Sequence, residues 1–351
     1  MSGNSKYNAD IPRITVPRER MGSILRGILA AKGCPADVCD AVAEHLIDAD
    51  DCGVESHGSW RILQYAGYYD SGYLKADTTP QLLQNAKGAW LIDGLDSIGI
   101  PAMALAVDHV SAQAKEKGLA AIALRNVGHT GRLGAFAEKA ASAGLLLIII
   151  GGGGRKAWRL VAPYGGAKAL MSTNPYSIGI PGGDRGPVVL DFATSAAAAG
   201  WVYGAKIAGA TLPDNVLIDK DGNPSNDPNA YFDGGAILTS GGAKGYALSV
   251  AAEMIAEAML GPVTTECNWL MIALDCALYQ EANTMRSTAE EILAELRACP
   301  PAPGFDRVEV PGERERDRRA ENKGKPISLP VATWDEIQRM VRDLGLELES
   351  A

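Results

Sequence analysis

Leu145 to Ile150 is an unbroken aliphatic run that stops at four consecutive glycines, Gly151 to Gly154. No position in it alternates to polar, so a strand here must be covered on both faces. That requirement calls for a sheet with other layers packed against it. Helical and extended patterns alternate around the run, which predicts a mixed α/β (α+β) fold. The apolar stretch is far too short to cross a bilayer, which takes about 20 residues of helix.

The pattern along the chain predicts the remaining elements. After a loose arm at residues 1–17, Met21, Ile24, Leu25, Ile28 and Leu29 keep the helical period, and Gly33 suits the stop. Pro35 fits the first turn of a second helix through Val38, Val42 and Leu46. A third is expected to start at Ser56 and carry Ile62, Leu63 and Tyr69. Residues 11–78 therefore read as an N-terminal helical subdomain. Residues 79–120 read as a connecting segment, with a strand at Trp90–Ile92 and a helix at Pro101–Lys117. Residues 121–283 read as a sheet domain. Its strands fall at 119–124, 145–150, 188–190 and 269–274, its helices at 132–143 and 244–260, and a loop at 219–229. Beyond lie a helix at 287–297, a short strand at Phe305–Val310, a charged helix at 314–322 and a last helix at 334–344. The segment 284–347 is expected to join the helical subdomain.

A length of 351 residues implies more than one core, and 47% hydrophobic with 21% charged residues is ordinary for a globular protein. A net charge of -9 argues against nucleic acid or an anionic membrane as partner. The first twenty residues carry Lys6, Arg13, Arg18 and Arg20 without the apolar core of a signal peptide. The six cysteines include no Cys-x-x-Cys pair, which suits a reducing compartment, and the cytoplasm is expected. No cluster has metal-ligand spacing, so no metal is expected.

Several stretches can carry chemistry. His57 and Arg61 stand four apart; with Ser56 as a helix cap, both project from one face. A proton donor near neutral pH then sits beside a permanent cation with a planar fork. A 2-oxo acid needs that pair, an acid for its carbonyl oxygen and an anchor for its carboxylate. An ordinary surface helix start would show the same spacing. His129, with Gly128 before it and Gly131 after, either faces a cleft or holds a turn. Asp191 ends a strand before Thr194-Ser195; it can orient an imidazole, hold a ribose hydroxyl or cap a helix. Lys244 stands at a helix entrance, where a cation opposes the macrodipole and a bound anion would compensate. The glycine run lets backbone approach a ligand, and Arg155, Lys156 and Arg159 can grip a phosphate; a flexible turn with solvated cations is the alternative. His45 and His109 fall inside helices and read as structural.

Redox chemistry needs a cofactor, because no side chain transfers hydride. The Gly-x-Gly-x-x-Gly signature is absent, which disfavours a doubly wound nucleotide fold.

Taken in order, these stretches resemble the malate/L-lactate dehydrogenase family of the non-Rossmann type. The matching pieces are Gly53-Val54-Glu55-Ser56-His57-Gly58 with Arg61, Asn126-x-x-His129-x-Gly131, and Ser172-Thr173-Asn174-Pro175. Asp191-x-Ala193-Thr194-Ser195, Gly222-x-Pro224, Gly242-x-Lys244-Gly245 and Pro311-Gly312-Glu313 continue the series. The Gly151–Gly154 run with Arg155-Lys156, and Trp60, depart from relatives.

The resemblance implies a mostly antiparallel, non-Rossmann central sheet that binds NAD or NADP, and a homodimer. It makes His57 the proton donor and His129 a catalytic base in some members. Asp191, Phe192, Ala193, Lys244, Gly312, Glu313 and Arg314 match cofactor-contacting positions. Asp191 is also a candidate catalytic residue, and Ser56 and Arg61 are candidate substrate contacts. The expected activity is hydride transfer between nicotinamide and C2 of a small 2-hydroxy or 2-oxo acid. Reduction of cyclic 2-imino acids is the alternative. A non-catalytic nucleotide-binding protein is a further one, against which the retention of both His57 and His129 speaks. Arg155, Lys156 and Arg159 tilt the cofactor expectation toward NADP.

Overall fold

The computed structural model describes residues 12–207 and 209–346. Residues 1–11 of the expected arm, and residue 347 at the end of the expected C-terminal segment, lie outside the described residues.

β1 (Arg13–Val16) leads into α1 (Arg18–Ala31) and α2 (Ala36–Asp51). Their apolar stripes meet, and Met21, Leu25, Ile28, Leu29, Val42 and Leu46 are closed to solvent. A 3-10 turn at Glu55–His57 separates α2 from α3 (Arg61–Asp70). The third helix therefore begins at Arg61, not at Ser56, and Ser56 caps nothing. The chain is held extended at Gly58 (φ -85°, ψ -163°), and Asp50 rather than Ser56 takes the Ser59 amide proton (2.9 Å).

β2 (Gln81–Gln84), β3 (Trp90–Ser97), α4 (Gly99–Lys117), β4 (Leu119–Val127), α5 (Leu133–Ser142) and β5 (Leu145–Gly152) follow. Then come β6 (Pro175–Ile180), β7 (Val188–Ala193) and α6 (Ala199–Ile207). Pro175 and Gly179 interrupt the β-forming residues of β6, which hides it from a reading by propensity. A small sheet of β8 (Leu217–Ile218), β9 (Pro224–Ser225) and β10 (Ala236–Ile237) accompanies α7 (Pro228–Phe232). The loop expected at 219–229 is thus only partly a loop. β9 lies inside it, and the Asp227 carboxylate caps α7 by accepting from the Asn229 amide (2.8 Å).

α8 (Ala243–Glu253) continues as a π-helical segment, Met254–Met259. β11 (Cys267–Asp275), α9 (Ala282–Ala298), α10 (Glu313–Asn322), β12 (Ile327–Pro330) and α11 (Val331–Asp343) complete the chain. No strand forms at Phe305–Val310. Phe305 is exposed, and just beyond this stretch the Val189 amide of β7 donates to the Pro311 carbonyl (3.1 Å). One such bond makes no ladder.

The main sheet runs β2-β3-β4-β11-β5-β6-β7, and only the β3–β4 pair is parallel. The central sheet is therefore mostly antiparallel, as the resemblance implies. β5 is interior. Leu145, Leu147 and Ile149 are sealed on one face, while Leu146, Ile148 and Ile150 are half-buried on the other. The sealed face shares one core with α1, α2, α3, α4 and α11. No helix among the described residues is long and apolar enough to cross a membrane.

Candidate active site

The turn that carries His57 is set by a carboxylate. Asp50, at the end of α2, accepts from the Ser59 amide (2.9 Å) and from the Ser59 hydroxyl. A Cβ on Gly58 would overlap Asp50 Oδ1, so only glycine lets the chain pass. Burial pushes the Asp50 carboxyl up to about 7, against the Ser59 hydrogen bonds that pull it down. The half-buried His57 ring emerges from this turn, with Nδ1 2.9 Å from Ser56 Oγ.

α3 supplies the next wall. Arg61, Gln64, Tyr65 and Tyr68 stand at helical spacing and share one face. Arg61 Nε donates to the Ser56 carbonyl (2.7 Å), Nη1 donates to Gln64 Oε1, and the guanidinium lies 4.6 Å from the Trp60 ring centroid. Gln64 Nε2 donates to Tyr68 Oη (2.6 Å). Tyr65 Oη lies 2.7 Å from His129 Nδ1, tying α3 to the loop before α5.

His129 stacks on His57, with ring centroids 5.4 Å apart and planes 26° apart. The Gly131 amide also donates to His129 Nδ1 (3.2 Å). A ring that accepts at Nδ1 carries its proton on Nε2 when neutral. Burial, then the charges of Arg61, His57 and His45, hold His129 well below the usual imidazole range. It is therefore neutral at neutral pH. His45, read as structural, is buried, stacks on Phe136 at 5.0 Å and accepts from the Arg132 amide (2.8 Å).

Residues far apart in sequence converge on the edge strand β7. Asp191 Oδ2 accepts from the Gly134 amide (2.7 Å), five residues beyond His129. The Ser240 amide, ahead of α8, donates to the Thr194 carbonyl (2.8 Å), which places the Lys244 helix entrance at the end of β7. The Val189–Pro311 bond brings Gly312 to the same strand, where Gly312 adopts a φ of +90° at the start of α10. The Phe192 ring is 37% exposed and stacks on Tyr176 at 6.0 Å. Lys244 and Arg314 are exposed, and Arg314 pairs with Glu315 (2.5 Å). Glu313 is buried, and its oxygens are taken by Arg297 (2.8 Å), Arg185 (3.5 Å) and the Val310 amide (3.3 Å).

Arg61, His129 and Glu266 are half-buried, and Asp191 is exposed in β7. Desolvation still raises the Asp191 carboxyl. Glu266 is absent from the sequence reading, as are Gln64, Tyr65, Tyr68, Tyr73 and Trp158. The i, i+3, i+4, i+7 series from Arg61 is a signal that finds the α3 group; Glu266 has no local signal.

The glycine run packs against the protein's own atoms. Gly151 is packed under the Trp269 ring; a Cβ on Gly152 would lie 2.8 Å from the Ala252 carbonyl oxygen, and one on Gly153 2.5 Å from a Val263 methyl. The closely approaching atoms belong to the protein itself. Arg155 and Lys156 both pair with Glu257 (2.8 and 3.6 Å), so they are not simply solvated cations. Among the described residues, no group of three His, Cys, Asp or Glu side chains is placed to hold a metal ion.

The model of the malate/L-lactate dehydrogenase family matches residues 16–338. An L-lactate dehydrogenase of Cupriavidus necator is 32% identical over 346 residues, 93% of this chain and 97% of that protein. A Δ1-pyrroline-2-carboxylate/Δ1-piperideine-2-carboxylate reductase of Pseudomonas putida is 35% identical over 248 residues, 71% of this chain and 72% of that one. The crystal structure of Δ1-piperideine-2-carboxylate reductase from Pseudomonas syringae has a TM-score of 0.81 at 29% identity, covering 93% of this chain and 99% of that one. With a matching fold and a family model spanning nearly the whole length, the chain belongs to the malate/L-lactate dehydrogenase family of oxidoreductases.

Proposed function

We propose that the protein moves a hydride between a nicotinamide cofactor and C2 of a small 2-hydroxy or 2-oxo acid. The observation that carries this reading is the stacked His57–His129 pair beside Arg61, with the start of α5, just beyond His129, bonded to Asp191 of β7. The cofactor, when bound, supplies the hydride.

His57 gives a proton to the substrate carbonyl oxygen and takes it back in the reverse direction. Arg61, held by Ser56 and Gln64, binds the carboxylate. Two imidazolium rings 5.4 Å apart would repel, so the neutral His129 leaves the mobile proton on His57. Tyr65 and Gly131 fix the tautomer of His129.

The rim of β7 fits a dinucleotide. An exposed Phe192 ring, the Asp191 carboxylate and the Lys244 helix entrance adjoin there. Asp191, Phe192, Ala193, Lys244, Gly312 and Arg314 would hold it, with Glu313 fixing the turn at Gly312 through its arginine pairs. The Glu257 pairing of Arg155 and Lys156 weakens the motive for a 2′-phosphate preference, so the reading carries NAD or NADP. Reduction of cyclic 2-imino acids is the second reading, supported by the reductase relatives. Exposed Leu248, Met254 and Met259 along one helix support a homodimer, which sedimentation would test. Free cysteines fit a reducing cytoplasm.

The test is a spectrophotometric screen of NADH and NADPH against pyruvate, oxaloacetate, sulfopyruvate and Δ1-piperideine-2-carboxylate. His57→Ala should lower turnover by about 10²–10⁴-fold while sparing cofactor binding. Near-normal turnover in that variant removes His57 from the acid role. Tight cofactor binding with no turnover on any substrate points instead to a non-catalytic protein.

A further inference from the structure

Glu266 is a carboxylate without a fixed partner. It precedes β11, and its backbone is locked: the Thr265 hydroxyl donates to the Val127 carbonyl (2.5 Å), and a Cβ on Gly154 would lie 2.5 Å from the Glu266 carbonyl oxygen. Its side chain has no hydrogen bond or ion pair among the described residues. Its charge still acts on Arg61 and on the phenols of Tyr65, Tyr68 and Tyr73. A carboxylate surrounded by protein is costly unless something compensates it.

The charge of Glu266 reaches two half-buried phenols, Tyr68 and Tyr73, and its carbonyl and the Cβ of half-buried Trp158 both flank Gly154. Tyr68 and Tyr73 meet edge to face at 4.9 Å, and Tyr73 meets Trp158 at 6.3 Å. Trp158 Nε1 donates to Tyr73 Oη (3.3 Å), and Gln64 holds Tyr68, so the rings are fixed. Aromatic faces attract cations, and a carboxylate beside them strengthens the attraction.

We propose that Glu266, Tyr68, Tyr73 and Trp158 form a subsite for a positively charged nitrogen on the substrate. The enzyme then selects 2-oxo acids with a cationic side-chain nitrogen over dianionic ones. This inference rests on the reading of the site given above, with Arg61 as carboxylate anchor.

A cationic nitrogen seated against these ring faces gains from Glu266, whereas a second carboxylate there is repelled by it. Burial lifts the Glu266 carboxyl to about 7, with Arg61 pulling it down, so the group gains from a cation brought beside it.

The test compares three open-chain ketones with the same reacting carbonyl: 5-guanidino-2-oxopentanoate, 2-oxopentanoate and 2-oxoglutarate. For the wild-type protein, kcat/KM should fall in that order, with about ten- to hundredfold between the first and the last. Glu266→Gln should shrink that ratio by about tenfold or more, losing on the guanidino acid and gaining on 2-oxoglutarate. A wild-type preference for 2-oxoglutarate overturns the subsite, and that ranking needs no variant to fold. A variant that folds by circular dichroism but changes all three substrates by one factor overturns it as well. If the wild type reduces none of the three nor any substrate of the broader screen, the reading of the site falls and the subsite falls with it. Reduction without the expected order removes the subsite alone.

Discussion

At Gly58 the atom crowding the Cα is a carboxylate oxygen of Asp50, and at Gly151 it is the ring of Trp269. Both are places where backbone must come close to something, and in both that something is the protein. The difference lies in what each leaves exposed. The Gly58 turn holds a half-buried His57 against His129. The Gly151–Gly154 run, at the end of β5, closes onto Trp269, Ala252, Val263 and the Glu266 backbone. A glycine reports close approach; whether a ligand or the fold approaches is decided elsewhere.

Substitution at the two places should separate them. Gly58→Ala drives a methyl into Asp50, so the Asp50–Ser59 bonds break and His57 shifts. A displacement near 1 Å can cost on the order of 10²-fold, so turnover should fall at least that far, measured as kcat at saturating substrate. Retained kcat would show that the turn does not position His57.

A third glycine position gives a pH signature. A Cβ on Gly131 would overlap His45 Nε2, the atom that accepts from the Arg132 amide. Burial, then Arg132, holds His45 down to about 4 from 6.5. The neutral ring is favoured in the folded state, so its contribution is present above pH 6.5 and lost as pH falls toward 4. The full shift is worth roughly 3 kcal/mol. Asp50, raised to about 7, has the opposite sign: its contribution is present below pH 3.8 and lost as pH rises through 7. Melting temperatures across pH 4–8 should show the acid limb flatten in His45→Gln and the neutral limb flatten in Asp50→Asn. An unchanged acid limb in His45→Gln would clear the Gly131 turn of this role.

Gly151→Ala should cost about 1–3 kcal/mol by overpacking against Trp269, read by urea denaturation. Its KM for the cofactor should hold; a large rise in KM with intact stability would restore the ligand reading of the glycine run. The smallest effect is expected at Glu257→Gln. It frees Arg155 and Lys156 and should cost at most about 1 kcal/mol, since both cations are well exposed. A stronger NADPH preference in that variant would show that Glu257 masks a phosphate site.

Much of the molecule was legible from local patterns. The α1 and α2 stripes and the β5 run are buried where periodicity puts them, because burial acts on every turn or alternate residue alike. His57, Arg61 and His129 stand together because Asp50 holds the Ser59 turn, Arg61 bonds the Ser56 carbonyl and Tyr65 bonds His129. The start of α3 was misread because Ser56 is a good cap by type, whereas Asp50, nine residues before Ser59, made the bond instead. Phe305–Val310 has a strand's composition, yet at the β7 edge only the following Pro311 is bonded.

From the order of residues alone came the mixed α/β class, the absence of a Rossmann signature and the segments worth watching. Which of those segments meet was decided only by the folded chain. Gly134 reaches Asp191, the α8 entrance reaches Thr194, and Pro311 reaches Val189, across gaps of tens to more than a hundred residues. The charge of Glu266 reaches Arg61 and Tyr68 for the same reason. Propensity and period act over a few residues, whereas the charge of a site is a sum over neighbours that only tertiary packing assembles.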